Sequence, residues 1–166
     1  MIATYDLTEY QRHAITSAVE ACYDKADAFF GQAFPRPTVT YRRSGRNAGT
    51  AFLQQNRINF HPTLYKENEK IFLENVIPHE VSHLLVWLLY GKVKPHGAEW
   101  QSVMVKVFNC RPDTTHQFDI RRAANTFRYT CHCDSYELST RRHNNVLKGM
   151  QYRCKRCRHP LKHQTQ

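Results

Sequence analysis

The sequence predicts an α+β fold in which a larger helix-and-sheet domain precedes a small cysteine-rich unit. Runs with helical and strand periodicity alternate up to about residue 108. Two close cysteine pairs then follow, Cys131 with Cys133 and Cys154 with Cys157. We therefore expect one domain at residues 1–125 and a second at residues 126–166, each folding around its own centre.

The first domain begins with a predicted helix at residues 7–30. Thr8 offers a start signal and Gly31 an end signal, and apolar residues recur between them at helical spacing. Residues 39–42, 50–53 and 57–60 have strand character, with turn residues between them. We expect these three strands to form a meander in chain order.

A helix carrying a motif for metal binding is predicted next, at residues 72–89, with a distortion near Pro78. It contains His79-Glu80-Val81-Ser82-His83, in which the two histidines share one helix face. This HExxH spacing lets both imidazoles hold one metal ion, while Glu80 reaches a water bound to that ion. The flanking residues are mostly apolar, and a buried imidazole or carboxylate is costly unless something binds it.

A catalytic zinc ion needs a third protein ligand. His96 is the candidate that we favour, because Gly91 and Pro95 allow the chain to turn back before a second helix at about residues 98–108. Glu99 is the rival ligand, since some zinc peptidases use a carboxylate in this role. Glu99 is also explained as a first-turn glutamate favoured by the helix dipole, or as a residue that orients a ligand histidine.

The paired cysteines predict a second, structural zinc site in a zinc ribbon, with Cys131, Cys133, Cys154 and Cys157 as ligands. His132, His143 and His159 lie close enough in sequence to replace one sulfur. The alternative is two disulfides. Residues 1–7 lack the basic start and apolar run of a signal peptide, so we expect a cytoplasmic protein whose thiols stay reduced. We expect no segment that spans a membrane.

Positive charge is concentrated in the second half of the chain. Residues 1–105 carry 11 Lys and Arg against 10 Asp and Glu, whereas residues 106–166 carry 13 against 4. Basic patches with interleaved aromatic residues favour contact with nucleic acid, single-stranded DNA in particular. A basic surface that only keeps the protein soluble is the simpler explanation. The candidate contact residues are Arg121, Arg122, Arg141, Arg142, Lys155 and Arg156.

Taken together, these motifs make the chain resemble the bacterial SprT proteins, relatives of the eukaryotic Spartan proteases. The resemblance is carried by Gly49-Thr50-Ala51, by the stretch from Val76 to Trp87, by His96-Gly97-Ala98-Glu99-Trp100 and by the cysteine-rich end. It implies a zincin-like metalloprotease domain with His79, His83 and His96 as zinc ligands and Glu80 as catalytic acid and base. It also implies a C-terminal zinc ribbon.

The expected function is zinc-dependent hydrolysis of peptide bonds, and the likeness to Spartan points to proteins attached or crosslinked to DNA. We expect an edge strand of the sheet to bind the substrate peptide by strand addition. His61, Tyr65 and His116 are candidates for stabilising the oxyanion. The competing hypothesis is a zinc-stabilised nucleic-acid-binding protein without protease activity, although such a scaffold has no need of Glu80. The oligomeric state is not predicted.

Overall fold

The computed structural model describes residues 6–43, 46–115 and 126–164. The chain divides into two compact units, residues 1–120 and residues 121–166. The predicted domain boundary between residues 125 and 126 adjoins a stretch outside the described residues and stays a prediction. None of the helices in the described ranges is both long and apolar enough to span a membrane.

The first unit opens with α1 (Glu9–Phe30), which confirms the predicted helix. Thr8 and Gln11 form a capping box that satisfies backbone N–H groups at the helix start. Gly31 ends the helix in a left-handed conformation with φ of 65°. The buried face of α1 packs on the core of the unit through Ile15, Val19, Cys22, Tyr23 and Ala26.

A three-stranded sheet follows, made of β1 (Thr38–Thr40), β2 (Gly49–Phe52) and β3 (Arg57–Phe60). The strands lie in the order β1-β3-β2, with β1 parallel and β2 antiparallel to β3. The strand positions agree with the prediction, but the predicted meander is wrong because β1 lies on the far side of β3.

Two asparagines account for this strand order. Asn56, left-handed with φ of 44°, ends the turn before β3, and its side chain donates hydrogen bonds to the carbonyls of Pro35 and Arg36. The buried side chain of Asn59, on β3, accepts a hydrogen bond from the Arg42 N–H and donates one to the Arg42 carbonyl. These bonds hold both ends of β1 beside β3, and strand propensity alone does not reveal them.

Five helical segments follow the sheet in the chain. They are α2 (Pro62–Glu67), α3 (Glu69–Ile71), a π-helical segment (Phe72–Val76), α4 (Ile77–Tyr90) and α5 (Ala98–Lys106). The π-helical segment is the distortion predicted near Pro78. Pro78 has no N–H to donate to the Glu74 carbonyl four residues earlier. The Cys110 thiol donates a hydrogen bond to this carbonyl at 3.4 Å. Helix α4 packs against α1, α5 and β2, so its buried face is at the centre of the unit.

The second unit contains β4 (Thr126–Thr130), β5 (Ser135–Ser139), α6 (Thr140–Leu147) and β6 (Lys162–His163). The sheet order is β5-β4-β6, and both pairings are antiparallel. Tyr129, Leu138 and His143 form the small buried centre together with Cys154.

Asn144, Asn145 and Gly149 are typical turn residues and residues 152–154 alternate like a short strand, so the sequence predicts turns and a strand there. Two of these predictions are wrong: Asn144 and Asn145 lie in α6, and residues 152–154 contribute only a single bridge between Arg153 and Pro160. An isolated helix of eight residues is only marginally stable in water, so tertiary packing decides between helix and turn here. Gly149 does lie in a turn, with φ of 95°.

Candidate metal centres

Three imidazole rings converge at the surface of the first unit. His79 and His83 lie one turn apart on α4, and His96 precedes α5. Their Nε2 atoms are separated by 3.2 Å (His79 to His83), 3.1 Å (His83 to His96) and 3.0 Å (His96 to His79). The sequence had left His96 and Glu99 as rivals, and it is His96 that joins the other two histidines.

This donor set fits zinc. Ligand nitrogens about 2.05 Å from a tetrahedral ion are about 3.3 Å apart, close to the separations of the three Nε2 atoms. Burial lowers the pKa of His83 to about 4, with a smaller contribution from His96, and burial also lowers the pKa of His96. These two rings are therefore neutral at pH 7, which is the protonation state that ligates a metal.

The Trp100 ring packs against the rings of all three histidines. Its side chain is buried, and its ring centre lies 4.7 Å from that of His79, 5.6 Å from that of His83 and 4.6 Å from that of His96. The indole Nε1–H donates to the His79 carbonyl at 3.2 Å. His96 has the unfavourable φ of 55°, and the Gln101 amide donates to its carbonyl. Trp100 thus links the two helices that supply the ligands.

The Glu80 side chain is buried beside the three histidines, in contact with β2. Burial raises the pKa of its carboxyl to about 8, and a hydrogen bond from the Ala51 N–H opposes this shift. Gly49 makes room for this side chain, since a Cβ at Gly49 would lie only 2.5 Å from the Glu80 Cγ and 2.9 Å from its Oε1. A side chain at position 49 and the observed position of Glu80 are therefore incompatible.

A cleft of about 440 Å³ borders these groups. His79, Glu80, His83 and His96 form one part of its wall, and β2 with the loop before it forms another. Strand β2 pairs with β3 on one side only, and within the described ranges its other edge carries no strand. Strand β2 is therefore the edge strand that borders the cleft, and substrate binding by an edge strand stays a prediction.

Two of the three oxyanion candidates do not line this cleft. His61 is fully buried and caps α2, its Nδ1 accepting from the Leu64 N–H at 3.5 Å. Tyr65 is buried against Phe72, with ring centres 5.5 Å apart. The third candidate, His116, lies outside the described residues. The sequence motifs did not reveal that the His61 and Tyr65 side chains are buried.

The second unit brings its four cysteines together. The Sγ atoms of Cys131 and Cys133 are 3.6 Å apart, and those of Cys133 and Cys154 are 3.7 Å apart. Sulfurs bound to tetrahedral zinc at about 2.3 Å are about 3.8 Å apart, so the cluster, completed by Cys157, has the dimensions of a zinc site. All six cysteines are free thiols, so the alternative of two disulfides is not realised.

Donors around two of the four sulfurs favour the thiolate form, whereas the hydrogen bond between Cys133 and Cys157 raises the pKa of Cys133. The Tyr136 hydroxyl donates to the Cys154 Sγ at 3.0 Å and lowers the pKa of that thiol. A hydrogen bond from the backbone of His159 lowers the pKa of Cys157 to about 5. None of the nearby histidines replaces a sulfur. His143 stacks on Phe127 at 3.6 Å between ring centres, and His132 stacks on His159.

Four of the six candidate nucleic-acid contacts are described, and all four side chains are exposed. They lie in two groups, with Arg141 and Arg142 in the first turn of α6 and Lys155 and Arg156 in the turn between Cys154 and Cys157. Within residues 126–164 none of the basic side chains forms an ion pair. Arg121 and Arg122 lie outside the described residues.

Sequence reasoning missed several residues of the cleft. Arg46, Asn47 and Thr114 line it although no motif marks them. The roles of Gly49 and Trp100 did leave signals. Gly49, the first residue of β2, is the residue type expected where another group approaches the backbone closely, and Trp100 lies in the first turn of α5, shortly after His96.

Comparisons with known proteins agree with this division of the chain. The model of the SprT-like family matches residues 19–117, and the model of the SprT-like zinc ribbon domain matches residues 125–165. The chain is 51% identical over 145 residues to Protein SprT of Shewanella oneidensis, covering 86% of this chain and 93% of that protein.

Two further relatives are similar over a comparable length. Protein SprT of Vibrio parahaemolyticus is 46% identical over 142 residues, covering 84% of this chain and 86% of the relative. Protein SprT of Pseudomonas aeruginosa is 43% identical over 152 residues, covering 89% of this chain and 92% of the relative. No solved structure matches the chain.

Proposed function

This chain belongs to the SprT-like family and carries a zinc ribbon, and on that premise we propose that it is a zinc-dependent metallopeptidase of the zincin type. His79, His83 and His96 would hold the catalytic zinc ion, and the four cysteines of the second unit would hold the structural one. Glu80 would act as the catalytic acid and base.

The observation that carries this proposal is the position of Glu80. A metal-stabilised scaffold needs three ligands, but it gains nothing from a carboxylate buried beside them in the same cleft. Burying an acidic side chain raises its pKa and opposes folding, so the position is costly for structure alone. Perturbed carboxyl groups in clefts are typical of catalytic sites.

The chemistry divides between the metal and the chain. Zinc held by His79, His83 and His96 would supply a Lewis acid that makes water more acidic and polarises a peptide carbonyl. Glu80 in its deprotonated form would accept the proton of the attacking water and return it to the amine that leaves when the C–N bond breaks. The Ala51 N–H holds the carboxylate in place, and Gly49 keeps the space open in which it lies.

Substrate would bind in an extended conformation along β2. The outer edge of this strand borders the cleft, and an exposed strand edge offers backbone groups to an added strand. A peptide paired with β2 passes the three histidines with its backbone held in one register. This mode of binding requires an unfolded or flexible segment in the protein that is cut.

Replacing Glu80 with Gln tests the proposal. The Glu80→Gln variant should bind zinc as the parent does but degrade an unfolded protein substrate at least about 100-fold more slowly, since general acid–base catalysis contributes about 10²- to 10⁴-fold. Glu74→Gln, an exposed carboxylate in the segment preceding α4, is the matched control and should retain full activity. Undiminished cleavage by Glu80→Gln would refute the proposed mechanism.

We further propose that DNA, single-stranded DNA in particular, is a partner of the second unit, and that the substrates are proteins associated with DNA. Unpaired, exposed basic side chains attract phosphates, and such binding weakens with salt. Lys155→Ala combined with Arg156→Ala should lower the affinity for single-stranded DNA and flatten its salt dependence. A protein that binds DNA but leaves all protein substrates intact, with or without DNA, would instead support the competing function of a zinc-stabilised nucleic-acid-binding protein.

A further inference from the structure

The segment that forms the three-stranded sheet carries only positive charge. Residues 28–66 contain six Lys and Arg and no Asp or Glu, whereas the rest of residues 1–105 contains five Lys and Arg and ten Asp and Glu. The nearly neutral charge of residues 1–105 is therefore the sum of two regions of opposite sign. The basic region includes all three strands and the loop from β1 to β2.

Two arginines of this region lack a compensating charge. Arg42 and Arg46 are exposed, and within the described ranges neither forms an ion pair. The backbone of Arg42 is fixed, since its N–H donates to the Asn59 side chain and its carbonyl accepts from that side chain. Arg46 lines the cleft. By contrast, Arg36 is bound by three carboxylates of α1, so its charge is already compensated.

One face of the sheet belongs to the same basic surface. On β3, Ile58 and Phe60 are fully buried in the core, so the residues that alternate with them point to the opposite, outer face. Five of the six side chains on the outer face are exposed or partly exposed. The strand register identifies the six as Thr38, Thr40, Thr50, Phe52, Arg57 and Asn59.

Arg57 and Phe52 form a planar surface on the outer face. The guanidinium carbon of Arg57 lies 3.8 Å from the centre of the Phe52 ring, over the face of the ring. Hydrogen bonds to the side chains of Gln55 and Thr40 hold the guanidinium in place. These partners are all neutral, so the charge of Arg57 is not compensated by them. A fixed and partly exposed guanidinium plane is a surface on which a nucleobase stacks.

Charge and planarity together identify the occupant of this surface. Exposed arginines attract polyanions, among them nucleic acids and acidic protein segments. A guanidinium plane beside them adds base stacking, from which an acidic peptide gains nothing. The bases of a duplex are already stacked on each other, whereas the bases of a single strand are free to stack on a side chain.

We propose that the outer face of the sheet and the loop from β1 to β2 bind single-stranded DNA, as a surface of the first unit in addition to that of the second. Arg42 and Arg46 bind phosphates, and Arg57 stacks on a base. The inference rests on the proposed partnership with DNA and deepens it. Because Arg46 also lines the cleft, DNA on this surface reaches the rim of the cleft, and a protein attached to that DNA is held close to the three histidines.

The salt dependence of DNA binding tests the phosphate contacts. Binding of a fluorescent thymidine oligomer of about 15 nucleotides to the zinc-loaded full chain is followed by anisotropy at several salt concentrations. Each lost phosphate contact lowers the slope of log K against log[salt] by about 0.7, so Arg42→Ala combined with Arg46→Ala should lower it by about 1.4. Lys25→Ala combined with Lys106→Ala removes the same charge from exposed helix positions and is the control. An arginine variant whose slope equals that of the control would overturn the inference.

A substitution that conserves charge tests the stacking. Arg57→Lys keeps the positive charge but loses the plane, so the affinity should fall at least about fivefold while the slope against salt stays that of the parent. Phe52→Tyr keeps a ring beneath the guanidinium and should retain the parental affinity. Parental affinity in a folded Arg57→Lys protein would contradict the stacking. Equal binding of a glutamate peptide of the same length would instead indicate an acidic protein segment as the occupant and overturn the inference.

Photocrosslinking separates this inference from the proposed role of the second unit. A thiothymine-containing oligomer is irradiated with the parent chain, and the crosslinked peptides are identified by mass spectrometry. Crosslinks within residues 42–57 support the surface on the first unit, even if Lys155→Ala combined with Arg156→Ala leaves DNA binding unchanged. Crosslinks confined to residues 126–164 would reject that surface while leaving the second unit as the DNA partner.

Discussion

Replacing Gly49 with Ala should uncouple catalysis from zinc binding. The added Cβ would lie 2.5 Å from the Glu80 Cγ, whereas ordinary van der Waals contact begins at about 3.4 Å. Gly49 is not among the glycines with positive φ, so alanine fits its backbone, and the three heavy atoms nearest to the added Cβ all belong to Glu80. The carboxylate must therefore move by about 1 Å, away from the Ala51 N–H that holds it.

The size of the effect follows from this displacement. Misplacing a reacting group by about 1 Å costs about 100-fold in rate. Crowding a packed site costs about 1–3 kcal/mol of folding stability, which lowers the Tm of a chain of this size by about 2–12 °C. Zinc at the histidines should be unaffected, because no contact between Gly49 and a histidine is involved.

The assay compares kcat on an unfolded protein substrate, zinc content and Tm for the parent and for Gly49→Ala. Thr38→Ala, an exposed position on β1 of the same sheet, is the control for general damage to the sheet and should behave as the parent. We expect kcat to fall about 100-fold at full zinc content. Parental kcat in a folded Gly49→Ala protein would refute the reasoning about the position of Glu80.

Three further predictions follow from other parts of the structure. Trp100→Phe removes the hydrogen bond to the His79 carbonyl and should lower zinc affinity about 10- to 100-fold, measured in competition with a chelator. The control is Met104→Ala, one turn further along α5, which should destabilise the fold without lowering zinc affinity. Cys154→Ser should abolish the NMR dispersion of residues 126–164 while leaving that of the first unit intact, since metal binding supplies most of the folding energy of so small a unit. Asp27 accepts a hydrogen bond from Arg36, which lowers the pKa of the Asp27 carboxyl in the folded protein. The contribution of this interaction to folding stability is complete above the carboxyl pKa of the unfolded chain, about 3.9, and is lost as the pH falls through the lower pKa of the folded state. Asp27→Asn should therefore flatten this part of the profile of urea-unfolding free energy against pH, and an unchanged profile would contradict the assignment.

Much of the first unit was predictable because its signals are local. The spacing of His79 and His83 defines a shared helix face whatever the rest of the fold does. Thr8 and Gly31 mark the ends of α1 through hydrogen bonds and a φ angle that involve only neighbouring residues. The family resemblance was confirmed by the family models that match both parts of the chain.

What the sequence did not reveal depends on contacts between distant residues. The place of β1 beyond β3 rests on side-chain bonds of Asn56 and Asn59 to backbone more than 15 positions away. The burial of Glu80 depends on the absence of a side chain at Gly49, a residue more than 30 positions earlier. Periodicity and propensity carry no information about such pairs, so strand order and the shape of the cleft had to come from the structure.

Metal analysis tests the central claim most directly. Purified protein should contain two zinc ions per chain, and His83→Ala should contain one, with the remaining ion released only when the cysteines are modified. A parent protein that retains a single ion under zinc-saturating conditions, in an amount that His83→Ala leaves unchanged, would contradict the claim that the three histidines form a metal centre.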